Sequence, residues 1–284
     1  MARDPEIPRW KRLFGKISEL PKFPTLESEI RAWDPLTNPA GSLMLDGISV
    51  QMEVLGQLKS GKEATVWCCR ATSESGVLLV AAKRFVELEQ RQFRNDAVYQ
   101  AGRHVRDNRG GRAMRGKSGY GREIQFASWL EWEFEALHRL HSAGADVPRP
   151  LGKSGATLVM EYIGDEGFPA PLLNRANLAP HEIRPAFDRI LGNIRLFLSR
   201  DCVHADLSAF NIMWWQGVPI VIDFPQSVDP RVNENAFSLL VRDMNNVCGY
   251  FRKYGIVENG QSLATELWEK YSQGRLYGSG VFMD

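Results

Sequence analysis

His204-Ala205-Asp206-Leu207-Ser208-Ala209-Phe210-Asn211, followed by Val221-Ile222-Asp223-Phe224-Pro225-Gln226, decides how this chain is read. An Asp stands five residues before an Asn, and a second Asp closes an apolar run. Transfer of a phosphoryl group from ATP requires three groups of this kind. One carboxylate orients or deprotonates the acceptor, and an amide oxygen and a second carboxylate hold Mg²⁺ on the phosphates. Asp206 takes the first role in this reading, and Asn211 and Asp223 the metal roles. Between the two motifs, Ile212-Met213-Trp214-Trp215 and Val218-Pro219-Ile220-Val221-Ile222 read as short strands joined at Gln216-Gly217. Such a hairpin carries Asn211 and Asp223 back to one point. Spacing, order and hairpin agree, which is more than a lone His-x-Asp supplies.

The upstream half offers the nucleotide-binding groups. Val77-Leu78-Leu79-Val80 reads as a buried strand that leads into Ala81-Ala82-Lys83, and a Lys there reaches α- and β-phosphates. Its expected partner is a Glu on the next helix. Trp129 to Ala143 has helical periodicity in Leu130, Phe134, Leu137 and Leu140, and carries Glu133, with Glu131 and Glu135 as rivals. Thr157 to Gly164 resembles a strand and hinge that take an adenine through backbone groups, around Glu161 and Ile163. Before Lys83 there is neither a G-x-G-x-x-G nor a Walker A loop; Ser60-Gly61-Lys62-Glu63-Ala64 stands between two β-rich runs instead. A Ser-Gly turn still offers N–H groups and a hydroxyl to phosphate.

Together, S-G-K-E-A at residues 60–64, H-x-D-L-S-x-x-N at 204–211 and I-D-F-P-Q at 222–226 resemble the motifs of the RIO atypical kinases, in order, over about residues 47 to 255. The resemblance is to the first RIO subfamily, because the segment before Gly47 is too short and Pro-rich for the winged helix of the second. It implies an α+β, bilobal protein-kinase-like fold with a shortened C-terminal lobe. The expected divisions are an N-terminal arm (1–46), a small lobe (47–160) with a basic insert at about 87–125, and a large lobe (161–284). It implies ATP and Mg²⁺, with Mn²⁺ as the alternative metal, and places Ser60 and Lys62 at the phosphates and Lys83 with Glu133 on the α/β-phosphates. Members of the family can act as ATPase switches with transient phosphate on the metal-loop Asp, matched here by Asp223. They act on ribosome precursors.

Departures from ordinary protein kinases bear on mechanism. Ser208 stands two residues after Asp206, where many kinases place a Lys that neutralises the transferring phosphate, so slow transfer is expected. Pro225 restrains Phe224 and argues against a flipping metal loop. Sixty-one residues follow Asp223, too few for a full peptide-binding platform. The rival enzyme class is a small-molecule phosphotransferase of the aminoglycoside or choline kinase type, which shares H-x-D-x-x-x-x-N and a metal Asp but does not combine S-G-K-E-A with I-D-F-P-Q. A third reading is a non-catalytic assembly factor gated by bound ATP.

Composition is ordinary for a globular chain: 284 residues, 44% hydrophobic, 24% charged and net charge +1, so there is no global pull towards nucleic acid. Cys68, Cys69, Cys202 and Cys248 have neither metal nor disulfide spacing, which fits a reducing, cytoplasmic setting. No apolar run approaches the roughly 20 residues of a membrane span, and no signal-peptide core opens the chain. The arm, punctuated by Pro5, Pro8, Pro21, Pro24, Pro35 and Pro39, reads as structural. His138 and His141 lack a third ligand and read as ordinary histidines, Trp129 and Trp132 as packing, Arg242-Asp243 as a structural ion pair and His204 as a prop for the loop.

Charge is concentrated in one place. Arg103, Arg106, Arg109, Arg112, Arg115, Lys117 and Arg122 crowd a Gly-rich stretch opposed only by Asp107 and Glu123. It reads equally as a solvated insertion or as a loop that grips RNA or an acidic partner. On the second reading, replacing Arg106, Arg109, Arg112 and Arg115 with Ala weakens binding to ribosomal particles in a filter-binding assay. The loss is largest at low salt, and ATP turnover without a partner changes little. Equal binding by both proteins at every salt concentration would identify a solvated insertion.

Overall fold

The computed structural model describes residues 43–61, 64–85, 119–165 and 168–276; for Leu43 and residues 119–128 it describes the backbone only. The described residues divide into two compact units, one of residues 43–85 with 150–169 and one of residues 119–149 with 170–276.

The first unit is an antiparallel sheet. Its strands are β1 (Leu43–Leu45), β2 (Ile48–Ser60), β3 (Ala64–Ser73), β4 (Gly76–Phe85), β5 (Pro150–Ser154) and β6 (Thr157–Glu161), in the order β1-β2-β3-β4-β6-β5. A small ladder of β7 (Gly164–Asp165) and β8 (Phe168–Pro169) follows. Side chains alternate between the faces of a strand. Trp67, Cys69 and Ala71 of β3, Val80 and Ala82 of β4 and Val159 of β6 therefore share one face, where Leu45, Val50 and Leu151 complete a buried core. Val66, Lys83 and Leu158 form one rung of the opposite face, and Cys68, Ala81 and Met160 the next. β1 falls within what the sequence reads as an arm; residues 1–42 lie outside the described residues. It lies close over β5, for a Cβ on Gly152 would stand 2.8 Å from the Met44 carbonyl oxygen.

The second unit carries α1 (Gly119–Ser142), α2 (Pro180–Ser199), the hairpin β9 (Ile212–Trp215) and β10 (Val218–Val221), α3 (Ala236–Phe251), a 3₁₀ turn (Arg252–Tyr254) and α4 (Gly260–Ser272). α1 begins ten residues before the expected Trp129, so the last part of the basic stretch, Gly119 to Arg122, is helical. Residues 103–118 of that stretch lie outside the described residues. Periodicity missed the extension because Gly119 and Gly121 are poor helix formers and no apolar spacing marks that turn. Residues 119–149 group with the other helices, whereas the sequence reading runs the small lobe to about residue 160. Hydrogen bonds account for this. The loop after α1 is tied to α2 by Asp146, whose carboxylate takes two bonds of 2.8 Å from Arg189 and one of 2.8 Å from Asn193. Its carbonyl takes the N–H of Val221 on β10 at 2.8 Å. Phe187, Ile190, Phe197, Leu198, Leu207, Phe224 and Phe251 are fully buried beneath these elements. Among the described residues no helix is long and apolar enough to cross a membrane.

α4 starts against α3 at Gly260, where an added Cβ would lie 2.7 Å from the Asn245 nitrogen and 2.8 Å from its Cα. Backbone cannot yield cheaply there. Gly260→Ala is expected to cost about 1–3 kcal/mol in urea denaturation, while the exposed Glu269→Ala stays within about 0.5 kcal/mol. Equal stability of the two variants would contradict the close crossing.

Candidate active site

The hairpin places the metal candidates. β9 and β10 pair from Val218↔Trp215 to Val221↔Ile212, and Gln216 and Gly217 have φ of 49° and 78°. Two successive positive φ values make the turn whose twist suits a two-residue hairpin. The ladder continues one step further, the Ile222 N–H donating to the Asn211 carbonyl at 2.9 Å. Asn211 and Asp223 thus come to the same end of the hairpin. Asp223 has φ 74°, a left-handed conformation unusual for a non-glycine residue.

Asn211 is buried, and its Nδ2 donates both to the Asp206 carbonyl at 2.8 Å and to Asp206 Oδ2 at 3.1 Å. With the amide nitrogen so engaged, Oδ1 is the acceptor end of the side chain. An amide oxygen and the Asp223 carboxylate are the hard donors that Mg²⁺ takes, so the residues present fit that ion. His204 is buried, and its Nδ1 accepts the Asp206 N–H at 3.3 Å. Nε2 therefore carries the proton and donates to the Ile222 carbonyl at 3.1 Å. The ring also lies 4.6 Å from that of Phe224. His204 links the two motifs as a neutral imidazole, in keeping with a propping role.

Ala205, with φ 66°, is the second left-handed point. The Arg242-Asp243 pair, expected as a structural ion pair, is turned to this loop. Asp243 Oδ2 accepts the Ala205 N–H at 2.7 Å, Oδ1 accepts the Leu207 N–H at 2.9 Å, and Arg242 Nη2 donates to the Ala205 carbonyl. Asp243 is 1% exposed. Burial pushes its carboxyl up to about 7 against the lowering effect of the Leu207 and Ala205 N–H groups and Arg242, with nearby Asp206 pushing the same way as burial.

The segment that follows Asp223 is held by α1. Of the three rival glutamates, Glu133 is buried, Glu131 half-buried and Glu135 exposed. Glu133 Oε1 accepts the Phe224 N–H at 3.1 Å. Its neighbour Trp132 donates its indole N–H to Ser227 Oγ at 2.9 Å, and that hydroxyl donates to the Phe224 carbonyl at 2.8 Å. Trp132 was expected only to pack; the ring does more, and Ser227 was not singled out at all. Their signal was absent from the sequence, since a hydrogen bond spanning 95 positions leaves no local pattern. Phe224 is fully buried between His204 and Phe197, whose ring centroid is 5.5 Å away. Phe224 is thus bonded at both its backbone N–H and its carbonyl and packed on its ring.

In the first unit, Lys83 on β4 is 6% exposed, with Nζ 5.1 Å from the Phe85 ring centroid. Ser60 is exposed at the end of β2, opposite Thr65 of β3. The Gly61 N–H donates to the Ala64 carbonyl at 3.0 Å, which ties the two described ends of S-G-K-E-A together. Lys62, expected at the phosphates, lies outside the described residues. Glu161 ends β6 opposite Val80, and Ile163 is buried two residues on. His138 is exposed and His141 half-buried. Among the described residues no group of three or more His, Cys, Asp or Glu is arranged to hold a metal.

A family model described as the RIO domain matches residues 71–263. The serine/threonine-protein kinase RIO1 of Caenorhabditis elegans is 40% identical over 132 residues, which cover 46% of this chain and 26% of that protein. The serine/threonine-protein kinase RIO3 of Mus musculus is 36% identical over 132 residues, 46% of this chain and 25% of that one. The matched region is about a quarter of the length of these relatives. Among solved structures, the Rio2 kinase of Chaetomium thermophilum in its ADP/Mg²⁺–phosphoaspartate complex aligns with a TM-score of 0.51 and 19% identity, covering 78% of this chain and 70% of that one. That likeness makes the fold α+β and kinase-like.

The Asp243 carboxyl gives a pH signature. Its native value near 7 lies above the ordinary 3.8, so the native state holds a proton that the unfolded chain has released. The contribution of this group to stability is complete below the ordinary value and is lost as pH rises through about 7. In urea denaturation, wild type should lose stability relative to Asp243→Asn between those two pH values. A wild-type-minus-variant difference that is flat from acid to neutral pH would sink this assignment.

Proposed function

The chain belongs to the RIO family, and from that premise we propose that it is an ATP- and Mg²⁺-dependent serine/threonine protein kinase or ATPase of the RIO type. The observation that carries the reading is the Asn211 amide bonded to both the carbonyl and the carboxylate of Asp206, at the end of the hairpin that also leads to Asp223. Asp206 orients an acceptor hydroxyl or a water and draws off its proton. Asn211 Oδ1 and the Asp223 carboxylate hold the metal, with Mn²⁺ as the alternative. When bound, that metal neutralises charge on the phosphates. Lys83 steadies the α- and β-phosphates, with Glu133 as the expected partner of its ammonium. Ser60, Lys62 and neighbouring backbone cover the phosphates, and backbone around Glu161 and Ile163 takes the adenine.

Ser208 supplies no positive charge where many kinases have a Lys, so turnover is slow and a nucleotide-driven switch is compatible with the same site. In that form the γ-phosphoryl passes from ATP to the Asp223 carboxylate, ADP leaves, and water then cleaves the acyl phosphate. The phosphoaspartate of the Rio2 kinase complex supports this branch. The proposal extends to a ribosomal precursor, RNA or protein partner reached through the basic stretch 103–122, and to a cytoplasmic setting.

The test is incubation of purified protein with radiolabelled ATP and Mg²⁺, following free phosphate and label retained on protein. Asp223→Asn should abolish metal-dependent turnover, because a neutral amide poorly replaces a charged ligand. Asp206→Asn should lower turnover by about 10²-fold or more while ATP still binds. Near wild-type hydrolysis and autophosphorylation by Asp206→Asn would remove the role given to Asp206. Rapid, saturable phosphorylation of an aminoglycoside or choline would move the protein to the small-molecule class.

A further inference from the structure

Two peptide planes meet at the Cα of Asp206, and their orientation sets where the carboxylate points. All four polar groups of these planes are bonded. The Asp206 N–H goes to His204, the Asp206 carbonyl to Asn211 and the Leu207 N–H to Asp243. The fourth, the Ala205 carbonyl, takes its bond from the Arg242 guanidinium. One turn further along the same helix, Asn246 Nδ2 donates to the Leu207 carbonyl at 2.9 Å, holding the next plane. Arg242, Asp243 and Asn246 are spaced i, i+1 and i+4, so one face of α3 addresses the loop.

We propose that Arg242 and Asn246 are positioning residues for phosphoryl transfer: their donors hold the carbonyls on either side of Asp206 and so aim its carboxylate. The proposal rests on the reading of Asp206 as the acceptor-orienting group. Chemistry favours these residue types. The loop already spends the Asp243 carboxylate on N–H groups, so what remains there are acceptors, and acceptors need donors. Arg stays protonated at any working pH and makes a charge-assisted bond. Ala205 sits in the left-handed region, which an alanine leaves readily unless its peptide groups are tied. Loosening the carbonyl side would let the 205–206 plane rotate and swing Asp206 away from the acceptor, stretching its carboxylate bond to Asn211 while Asp223 and Lys83 keep their places.

Four variants of the full chain separate this from a merely structural role. Arg242→Met and Asn246→Asp remove the donors at similar size. Arg242→Lys keeps a cationic donor, and Asn246→Ala covers the case in which Asn246→Asp fails to fold. The readouts are steady-state ATP turnover and amide hydrogen exchange at Asp206 and Leu207, with Val247 in the middle of α3 as the reference amide. The expected result is a fall in kcat between about 10- and 100-fold in the donor-less variants, with KM for ATP within about twofold. Exchange at Asp206 and Leu207 should rise while Val247 keeps its rate, and Arg242→Lys should stay near wild type in both. Unchanged kcat and loop exchange in Arg242→Met and Asn246→Asp would overturn the proposal. So would exchange that rises equally at Val247, because it would mark general loss of stability. A wild-type protein that turns over no ATP would instead overturn the kinase and ATPase reading, and loop exchange would still decide whether the two side chains hold the planes.

Discussion

The Asp243 carboxylate, buried and bonded to the N–H groups of Ala205 and Leu207, is the constraint around which the second unit is organised. A loop that turns through a left-handed alanine exposes backbone groups that no helix or ladder can satisfy. Burying them without partners would cost a few kcal/mol each. A carboxylate meets two N–H groups at once, and the price of sinking that charge is visible in the upward shift of its own titration. α3 must then lie where Asp243 can reach the loop, and α4 follows α3 through the close crossing at Gly260.

The second motif is held by different means. Phe224 is anchored at its N–H by Glu133, at its carbonyl by Ser227 and on its ring by His204 and Phe197. Trp132 and Glu133 are adjacent in sequence and act at opposite ends of the same short segment, so any displacement of α1 is felt by the residue that follows Asp223. His204 closes the arrangement from below by bonding to the backbone of Asp206 and of Ile222. The two motifs are thus linked by the His204 imidazole, by the Ile222 N–H on the Asn211 carbonyl and by one hairpin, which makes the spacing between Asp206 and Asp223 a property of packed structure and not of a flexible linker.

Legibility differed between elements for physical reasons. The β9–β10 hairpin was readable because two apolar runs and a Gln-Gly turn are local signals, and its strands lie where the spacing put them. Lys83 was readable because an apolar run ending in a cation is a local signal too, and alternation along β4 then puts it on the face opposite the core. The start of α1 was not, since its first turns lack apolar periodicity and contain two glycines. β1 was hidden in a Pro-rich context, being a three-residue strand that exists only because β2 is there to pair with it. Glu133 could not be told from Glu131 and Glu135 by spacing, and burial separates them.

The order of chemical groups along the chain was determined by sequence alone: a Ser-Gly reversal, a strand-borne Lys, an Asp and Asn five apart, and a second Asp after a hairpin. Those features are local, and local spacing on a strand or tight turn leaves few geometries to choose from. Tertiary structure alone decided who holds these groups in place. Arg242, Asp243 and Asn246 reach the loop across 36 to 39 positions, and Trp132 and Glu133 reach the segment after Asp223 across 95 and 91. A hydrogen bond between residues so far apart depends on how helices pack, and nothing in the periodicity of either partner encodes the distance between them.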